Sequence, residues 1–362
     1  MGLSQTGTGK TAALALPILQ RLTQGPRGRV RALVIAPTRE LAEQIHVSFT
    51  DMGQRTGLRS VTVYGGVGIQ GQIQALRKAE IVVACPGRLL DHIGQHTINL
   101  SALEVLVIDE ADQMFDMGFL PAIRRILQQL PTRRQSLMFS ATMPDDIRRL
   151  AHECLRNPVT VQIDHTVPLT TVSHALYPVS EHLKTKMLLE LLRPTNMESV
   201  LIFTRTKHRA KRLGQVLKEA GYKATSLQGN LSQNRRKEAL GGFRGGTYNV
   251  MVATDIAARG IDVSQISHVI NYDVPGTPEA YTHRIGRTGR AAKTGDAFTL
   301  VADSDGDMVR TIERRLGKTL ERRKLPGFDY AKAVAQDHFS RPAKEGRHSS
   351  GCSHRKRSWR HR

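Results

Sequence analysis

Ser4-Gln5-Thr6-Gly7-Thr8-Gly9-Lys10-Thr11 is a glycine-rich segment that ends in Gly-Lys-Thr and is followed by a helical pattern of apolar residues over 11–22. Glycines let successive backbone N–H groups curl around a phosphate, a lysine reaches the β- and γ-phosphates, and a hydroxyl takes a place on Mg²⁺. The helix would point the positive end of its dipole at the same anion. The segment predicts a nucleotide-binding loop in which Lys10 is catalytic and Thr11 is a metal ligand. A frayed Gly/Thr-rich terminus is the alternative.

The residues before this loop do not meet the full pattern. A phosphate-binding loop is expected to follow a buried strand, and only Met1-Gly2-Leu3 precede it. Without that interior strand, its two neighbours would have unpaired edges. We therefore expect a chain that lacks its N-terminal start, with low stability and impaired ATP binding.

The chain is strongly basic, with 53 Lys and Arg against 32 Asp and Glu and a net charge of +21 over 362 residues. Such an excess predicts a polyanionic partner, with nucleic acid as the first candidate. A basic protein without such a partner is the alternative. Three widely spaced cysteines favour neither a zinc site nor a disulfide framework, and they fit a reducing, cytoplasmic location. No apolar run approaches the ~20 residues that span a bilayer, so no membrane partner is expected.

Short β-rich runs alternate with helical patterns along two stretches of the chain. The first stretch predicts strands at 31–36, 61–64, 81–84, 105–108, 137–139 and 159–163, and helices at 40–52, 71–76, 119–129 and 145–155. The second predicts strands at 175–178, 200–204, 223–227, 249–253, 268–271 and 297–301, and helices at 184–192, 207–220, 233–243 and 278–284. Runs that are apolar on both faces suit parallel sheets covered by helices. The sequence predicts an α/β fold with domains at 1–164 and 174–323, a linker at 165–173 and a basic tail at 324–362.

An acidic segment, Asp109-Glu110-Ala111-Asp112, follows the apolar run Val105-Leu106-Val107-Ile108. The carboxyl end of a buried strand is where a phosphate-loop NTPase places its Mg²⁺ ligand and catalytic base. Asp109 would hold Mg²⁺, partly through water, and Glu110 would orient and deprotonate the attacking water. A turn with three exposed carboxylates is the alternative.

Several other short segments follow one another in a fixed order around this acidic segment. They are Pro37-Thr38-Arg39-Glu40-Leu41-Ala42, Gly65-Gly66, Cys85-Pro86-Gly87-Arg88, Ser140-Ala141-Thr142, Leu201-Ile202-Phe203, Gln233-Asn234-Arg235-Arg236, Ala253-Thr254-Asp255-Ile256-Ala257-Ala258-Arg259-Gly260-Ile261-Asp262 and Tyr281-Thr282-His283-Arg284-Ile285-Gly286-Arg287-Thr288-Gly289-Arg290. Over about residues 3–305 the chain resembles the DEAD-box RNA helicase family of superfamily 2. It is most similar to the bacterial RhlE-like branch.

The resemblance implies two tandem RecA-like domains that close over ATP, Mg²⁺ and single-stranded RNA. An ATPase domain with a loop, a metal ligand and a base still lacks positive charge for the transferring phosphoryl group, which the segment 283–290 of the second domain can supply as arginine fingers. By the resemblance, Arg287 and Arg290 are the two that reach the γ-phosphate. By the resemblance, Asp262 binds the ribose, and Ser140, Thr142, Asp112 and His283 couple the ATP site to the RNA site. The alternatives are a solvated or RNA-facing arginine stripe and, for Ser140 and Thr142, a helix cap.

RNA contacts are expected to go mostly to phosphate and sugar, so that binding does not depend on base sequence. The resemblance implies an RNA-binding set of Pro37, Thr38, Arg39, Gly66, Pro86, Gly87, Arg88, Arg205, Thr206, Gly229, Arg236 and Thr254. The segment Gly66-Val67-Gly68-Ile69-Gln70-Gly71 also fits a dinucleotide-binding pattern, but the next strand leads into Cys85-Pro86-Gly87-Arg88 rather than to an acidic residue. The tail, with eight Lys and Arg and one Glu over 341–362, would add salt-sensitive RNA affinity and is expected to be disordered.

The sequence is compatible with two functions. The first is an enzyme: an ATP-dependent RNA helicase that locally unwinds or remodels RNA duplexes and RNA–protein complexes, including those of ribosomal or degradosome type. The second is a truncated, ATPase-impaired chain that acts as an RNA-binding or annealing module. The two differ in whether ATP hydrolysis depends on RNA and on Lys10.

Overall fold

In a computed structural model, the chain is described over residues 1–4, 9–163, 172–193, 198–258, 266–289 and 295–331. These residues contain two sheets, each of seven parallel strands and each covered by helices. This confirms the predicted α/β class with two repeating parts, which we call the first lobe and the second lobe. Among the described residues, none of the helices has both the length and the apolar character needed to cross a lipid bilayer.

The first lobe is built on a sheet with the strand order β3-β4-β2-β5-β6-β1-β7. Its strands are β1 (Gly2–Leu3), β2 (Ala32–Ile35), β3 (Ser60–Val63), β4 (Ile81–Ala84), β5 (Val105–Ile108), β6 (Gln135–Ser140) and β7 (Val161–Gln162). The central strands β2, β4 and β5 are buried at every residue, because helices cover both faces of a parallel sheet. Their side chains divide between two hydrophobic clusters, one on each face.

Seven helices of the described residues flank this sheet. They are α1 (Lys10–Leu22), α2 (Arg39–Met52), α3 (Ile69–Leu76), α4 (Pro86–Gly94), α5 (Ala111–Asp116), α6 (Leu120–Leu127) and α7 (Asp145–Cys154). Local sequence sets where they begin: the Thr38 hydroxyl caps α2 by accepting from the Leu41 N–H, and Pro86 occupies the first turn of α4. The helices α4 and α5 were not predicted. Both helices begin inside motif segments, 85–88 and 109–112, for which no helix was predicted.

A short strand, β1, precedes the phosphate-binding loop, where the sequence analysis expected the strand to be missing. Gly2 and Leu3 lie between β6 and β7, where Gly2 pairs with Phe139 and Val161 and Leu3 pairs with Ser140 and Gln162. The two neighbouring strands are therefore paired through β1 over two residues rather than left with open edges. This short strand leads directly into the predicted phosphate-binding loop.

The second lobe repeats the architecture with the strand order β10-β11-β9-β12-β13-β8-β14. Its strands are β8 (Val172–Pro178), β9 (Val200–Phe203), β10 (Ala224–Leu227), β11 (Val250–Ala253), β12 (His268–Asn271), β13 (Gly295–Val301) and β14 (Glu321–Arg322). Its helices are α8 (Lys184–Leu192), α9 (Lys207–Glu219), α10 (Gln233–Arg244), α11 (Asp255–Ala258), α12 (Pro278–Ile285) and α13 (Gly306–Leu316). Hydroxyls of Thr206, Ser232 and Thr277 cap α9, α10 and α12.

Both ends of the second lobe differ from the predicted boundaries. Val172 and Ser173, predicted as the end of a linker, already pair in β8 with Gly295 and Asp296. The rest of the predicted linker lies outside the described residues. At the other end, the compact unit runs to Phe328, whose ring lies 5.2 Å from the Lys186 ammonium. Residues 324–328 therefore pack on the second lobe, whereas most of the predicted tail lies outside the described residues.

Candidate active site and nucleic-acid interface

The described ends of the phosphate loop are held at the carboxyl edge of the first sheet. The Ser4 N–H donates to the Ser140 carbonyl at 3.1 Å, and the Lys10 ammonium donates to the Ser4 carbonyl at 3.0 Å. Gly9 has a φ of 82°, a left-handed conformation that glycine adopts without strain, and it begins α1. Gln5, Thr6, Gly7 and Thr8 lie outside the described residues. Lys10 and Thr11 thus occupy the first turn of α1, where an anion is favoured.

Asp109 and Glu110 are buried carboxylates at the end of β5, with 3% and 4% exposure. The Glu110 N–H donates to Asp109 Oδ1 at 2.9 Å, and Glu110 has a left-handed φ of 51°, which is uncommon for a non-glycine residue. Burial raises the pKa of Asp109, against the opposing charge of Lys10. Burial and then the neighbouring Asp109 raise the pKa of Glu110 to about 7. The alternative of three exposed carboxylates is wrong, because Asp112 is also buried.

Asp112 joins the acidic segment to the end of β6. Its Oδ2 accepts from the Ala141 N–H at 3.1 Å, the Thr142 N–H at 2.9 Å and the Thr142 hydroxyl at 3.1 Å. The Asp112 N–H in turn donates to the Ser140 hydroxyl at 3.3 Å, and that hydroxyl donates to the Thr142 carbonyl at 2.7 Å. Ser140 does not cap α7, since Pro144 is the residue that precedes that helix. The predicted coupling residues of the first lobe therefore form one hydrogen-bond network.

The second lobe presents its predicted finger segment to this edge of the first lobe. Arg287 is buried at 7% exposure, and its charge lowers the pKa of Glu110 against the effect of burial. His283 and Arg287 line a small cavity together with Gln113 of the first lobe. Arg290 and Asp262 lie outside the described residues. Two predicted side chains of the second lobe are thus brought to the acidic segment.

Arg284, between the predicted residues, has a different environment. Its guanidinium makes a two-point contact with Asp255, at 2.6 and 2.8 Å, and also donates to Asn271 Oδ1 and the Asp273 carbonyl. The group lies 5.0 Å from the Phe203 ring centre. With Arg284 at 2% exposure and Arg287 buried as well, the alternative of a solvated arginine stripe is wrong for these two residues.

The predicted RNA-binding residues of the first lobe lie at the amino-terminal ends of α2 and α4 and in the loop after β3. A side-chain carbon added at Gly66, which has a φ of 82°, would lie 2.3 Å from the Arg39 guanidinium. The Arg88 guanidinium donates to the Val67 carbonyl at 3.0 Å. The glycine segment after β3 therefore packs against two arginines, which brings together Pro37, Thr38, Arg39, Gly66, Pro86, Gly87 and Arg88.

The predicted RNA-binding residues of the second lobe also follow the carboxyl ends of strands. Arg205 and Thr206 connect β9 to α9, Gly229 follows β10, and Thr254 follows β11. The Lys207 ammonium donates to Asn230 Oδ1 at 3.1 Å, which links the first two of these loops. Arg205 and Thr206 are exposed, whereas Thr254 is buried. Backbone N–H groups at helix starts are suitable donors to phosphate oxygens.

Arg236, which is predicted to bind RNA, also connects the two lobes. Its Nε donates to Glu40 Oε1 at 2.8 Å, with side-chain exposures of 10% and 9%. Its other nitrogens reach the Gln228 and Ala257 carbonyls at 3.4 Å. Beside it, Arg39 donates to Gln233 Oε1 at 3.2 Å. The sequence analysis gave no role to Glu40 or Gln233, although both lie in the motif segments 37–42 and 233–236. The acidic charge of Glu40 beside Arg39 was the available sign of an ion pair.

The chain matches two protein families along its length. Residues 1–150 match the DEAD/DEAH box helicase family, and residues 183–292 match the helicase conserved C-terminal domain. DEAD-box ATP-dependent RNA helicase CshA of Bacillus licheniformis is 43% identical over 334 residues, covering 91% of this chain and 68% of that protein. The Bacillus subtilis CshA is 42% identical, covering 91% and 67%. The predicted RhlE-like branch is not confirmed by these relatives.

Solved structures show the same arrangement of two RecA-like domains. S. cerevisiae Dbp5 bound to RNA and ADP BeF3 superposes with a TM-score of 0.81 at 32% identity, covering 90% of this chain and 85% of that chain. Mss116p bound to single-stranded RNA and AMP-PNP gives 0.78 at 25% identity, covering 90% and 70%. Dbp5 bound to Gle1 and IP6 gives a lower value of 0.71. With both family matches in order and relatives above 40% identity over most of its length, this chain belongs to the DEAD-box family of ATP-dependent RNA helicases.

Proposed function

We propose that this chain hydrolyses ATP in the cleft between its lobes and uses the closed arrangement to hold and remodel RNA. The observation that carries the proposal is the pair of buried carboxylates of the first lobe, Asp109 and Glu110, with Arg287 of the second lobe near enough to act on the pKa of Glu110. In this role Lys10 binds the β- and γ-phosphates, and Glu110 orients and deprotonates water. Arg287, with Arg290, stabilises the charge of the transferring phosphoryl group.

The donor set fits Mg²⁺ as the metal that accompanies ATP. Asp109 and Glu110 are adjacent buried acids, and Glu110 Oε2 has no hydrogen-bond partner among the described residues. No group of three acidic, histidine or cysteine side chains within the described part of the chain forms a metal cluster by itself. Mg²⁺ is commonly held by one or two protein oxygens together with phosphate oxygens and water. Asp109 and the Thr11 hydroxyl would hold it here, where it neutralises phosphate charge.

RNA is proposed to lie across the strand ends of both lobes. The helix starts at Thr38, Pro86 and Thr206 supply backbone donors, and Arg39, Arg88 and Arg205 supply charge. Such contacts recognise phosphate and sugar and leave the base sequence unread. We propose helicase domains over about 1–164 and 172–328, since Val172 and Ser173 pair in β8 and the compact unit runs to Phe328. The basic tail is proposed as a further RNA contact. Ribosomal or degradosome-type complexes and a cytoplasmic location stay predictions.

The test is ATPase activity of the full chain with and without single-stranded RNA. We expect hydrolysis that RNA stimulates, and loss of that hydrolysis in Glu110→Gln with retention of ATP-dependent RNA binding, since the amide cannot take a proton from water. Lys10→Ala is the control that should lose nucleotide binding as well. RNA-stimulated hydrolysis that survives in Glu110→Gln would overturn the role of Glu110. RNA binding without any RNA-stimulated ATPase in the unaltered chain would favour the annealing module.

A further inference from the structure

Gln113 is a buried polar residue to which none of the predicted roles applies. It follows the acidic segment directly and lies in the first turn of α5, at 4% exposure. Its backbone N–H donates to Asp112 Oδ1 at 3.0 Å, so its position is fixed by the coupling network. Among the described residues, its Oε1 has no hydrogen-bond partner. A buried acceptor without a donor is unfavourable, which calls for an explanation at this position.

The surroundings of Gln113 supply that explanation. It is the first-lobe residue that lines a cavity of about 20 Å³ whose other walls are residues of the second lobe, His283, Arg284 and Arg287 among them. This volume is enough for about one water molecule, and a site with several polar groups suits one. The hydrogen-bonding capacity of Arg284 is directed to Asp255, Asn271 and the Asp273 carbonyl. His283 and Arg287 also line the cavity, and both side chains carry N–H groups that can donate to a water.

We propose that Gln113 is a positioning residue for ATP hydrolysis: in the closed arrangement one water in the cavity donates to its Oε1 and links it to Arg287 or His283. This water bridge would link the helix that carries Asp112 to the segment that carries the arginine finger. It would form only in the closed arrangement, because its two sides belong to different lobes. Gln113 thereby couples RNA-driven closure to the orientation of Arg287. The inference rests on the proposed function and names a further residue within it.

The experiment measures coupling between nucleotide and RNA in the full chain. The coupling factor is the ratio of the Kd for a labelled single-stranded RNA with ADP to that with ADP and beryllium fluoride. In Gln113→Leu, which keeps the size but removes the acceptor, we expect this factor and the RNA-stimulated kcat to fall about tenfold, as for loss of one hydrogen bond. ADP affinity without RNA should not change. Gln129→Leu, an exposed position on the same lobe, is the matched control.

Gln113→Glu tests whether coupling depends on the hydrogen-bond acceptor at position 113 or only on the packing of the side chain. A carboxylate keeps an acceptor and adds charge beside Arg287, so coupling should equal or exceed that of the unaltered protein. Unchanged coupling in Gln113→Leu, or loss of coupling in Gln113→Glu, would overturn the proposal. If Gln113→Leu does not fold, Gln113→Glu decides alone. Failure of the proposed function is distinct, because it would abolish RNA-stimulated ATPase in the unaltered chain and leave no coupling to compare.

Discussion

At the scale of single residues, Asp112 is the point at which the acidic segment and the end of β6 are held together. Three donors from Ala141 and Thr142 converge on one carboxylate oxygen. Hydrogen bonds to a charged acceptor contribute more than neutral ones, and loss of the acceptor leaves each donor without a partner. The network therefore stabilises the first lobe and also fixes the strand end at Ser140, whose carbonyl accepts a hydrogen bond from the Ser4 N–H.

We predict that Asp112→Ala lowers the free energy of unfolding by about 3 kcal/mol, because several charge-assisted bonds are lost together. Thr142→Val removes a single hydroxyl donor and should cost about 1 kcal/mol. Urea denaturation of the two variants beside the unaltered protein measures both values. Equal destabilisation by the two changes would contradict the view that Asp112 is the centre of the network.

At the scale of elements, Thr288 after α12 and Gly295 at the start of β13 are closely packed against each other. The Thr288 hydroxyl contacts the Ile266 and Ser267 carbonyls at 2.6 and 3.0 Å, which fixes the residue next to Arg287 against the start of β12. Gly295 begins β13 beside this hydroxyl. A side-chain carbon at Gly295 would lie 2.2 Å from Thr288 Oγ1 and 2.6 Å from the Gly289 backbone nitrogen, so there is no room for one.

We predict that Gly295→Ala destabilises the protein by about 1–3 kcal/mol through this overpacking and also reduces RNA-stimulated ATPase, since Thr288 positions Arg287. Gly276→Ala is the matched control, because a carbon added there has no neighbour within 4 Å. Thermal unfolding and ATPase assays on the two variants compare them directly. A Gly295→Ala protein as stable and active as Gly276→Ala would show that this packing adjusts without cost.

Elements with a long, continuous pattern could be predicted from the sequence, whereas the helices α4 and α5, which begin within functional segments, could not. The core strands β4, β5 and β12 have their predicted bounds, because continuous apolar runs bury both faces. Helices α4 and α5 begin at Pro86 and Ala111, directly inside or after functional segments, and α5 has only six residues, too few for a helical period. Gln113 was missed for a related reason: a single glutamine in a short helix has no periodic signal.

At the scale of the whole molecule, the two lobes are joined by side chains that approach the proposed RNA path. Glu40 and Arg236 are 196 positions apart in sequence, and Arg39 and Gln233 are 194 positions apart. Both pairs join α2 to α10. An ion pair shielded from water is expected to contribute more than an exposed one. These contacts favour the closed arrangement in which the chain resembles the RNA-bound Dbp5 structure.

We predict that Glu40→Ala and Arg236→Ala each weaken RNA binding in the presence of ADP and beryllium fluoride more than in the presence of ADP. The double variant should lose less than the sum of the single changes, with an interaction energy of about 1–3 kcal/mol. RNA titrations of the four proteins complete the cycle. Strictly additive losses would mean that Arg236 acts on RNA phosphate independently of Glu40.

The basic end of the chain is predicted to act through charge alone. Residues 341–362 have eight Lys and Arg and one Glu, and release of counterions makes such binding dependent on salt. Removal of residues 332–362 should weaken RNA binding at low salt. It should also make the slope of log K against log salt concentration shallower by about 0.7 for each phosphate that the tail neutralises on a single strand. An unchanged slope would exclude a contribution of the tail to RNA binding.

The pairing of Glu40 with Arg236 also bears on how sequences of this kind can diverge. A change at either position alone leaves a charge facing an apolar or like-charged neighbour, so selection would remove most single changes. Paired replacements that restore an attractive contact would survive. We therefore expect these two distant positions to change together among relatives. Substitutions in one lobe would then be correlated with substitutions in the other.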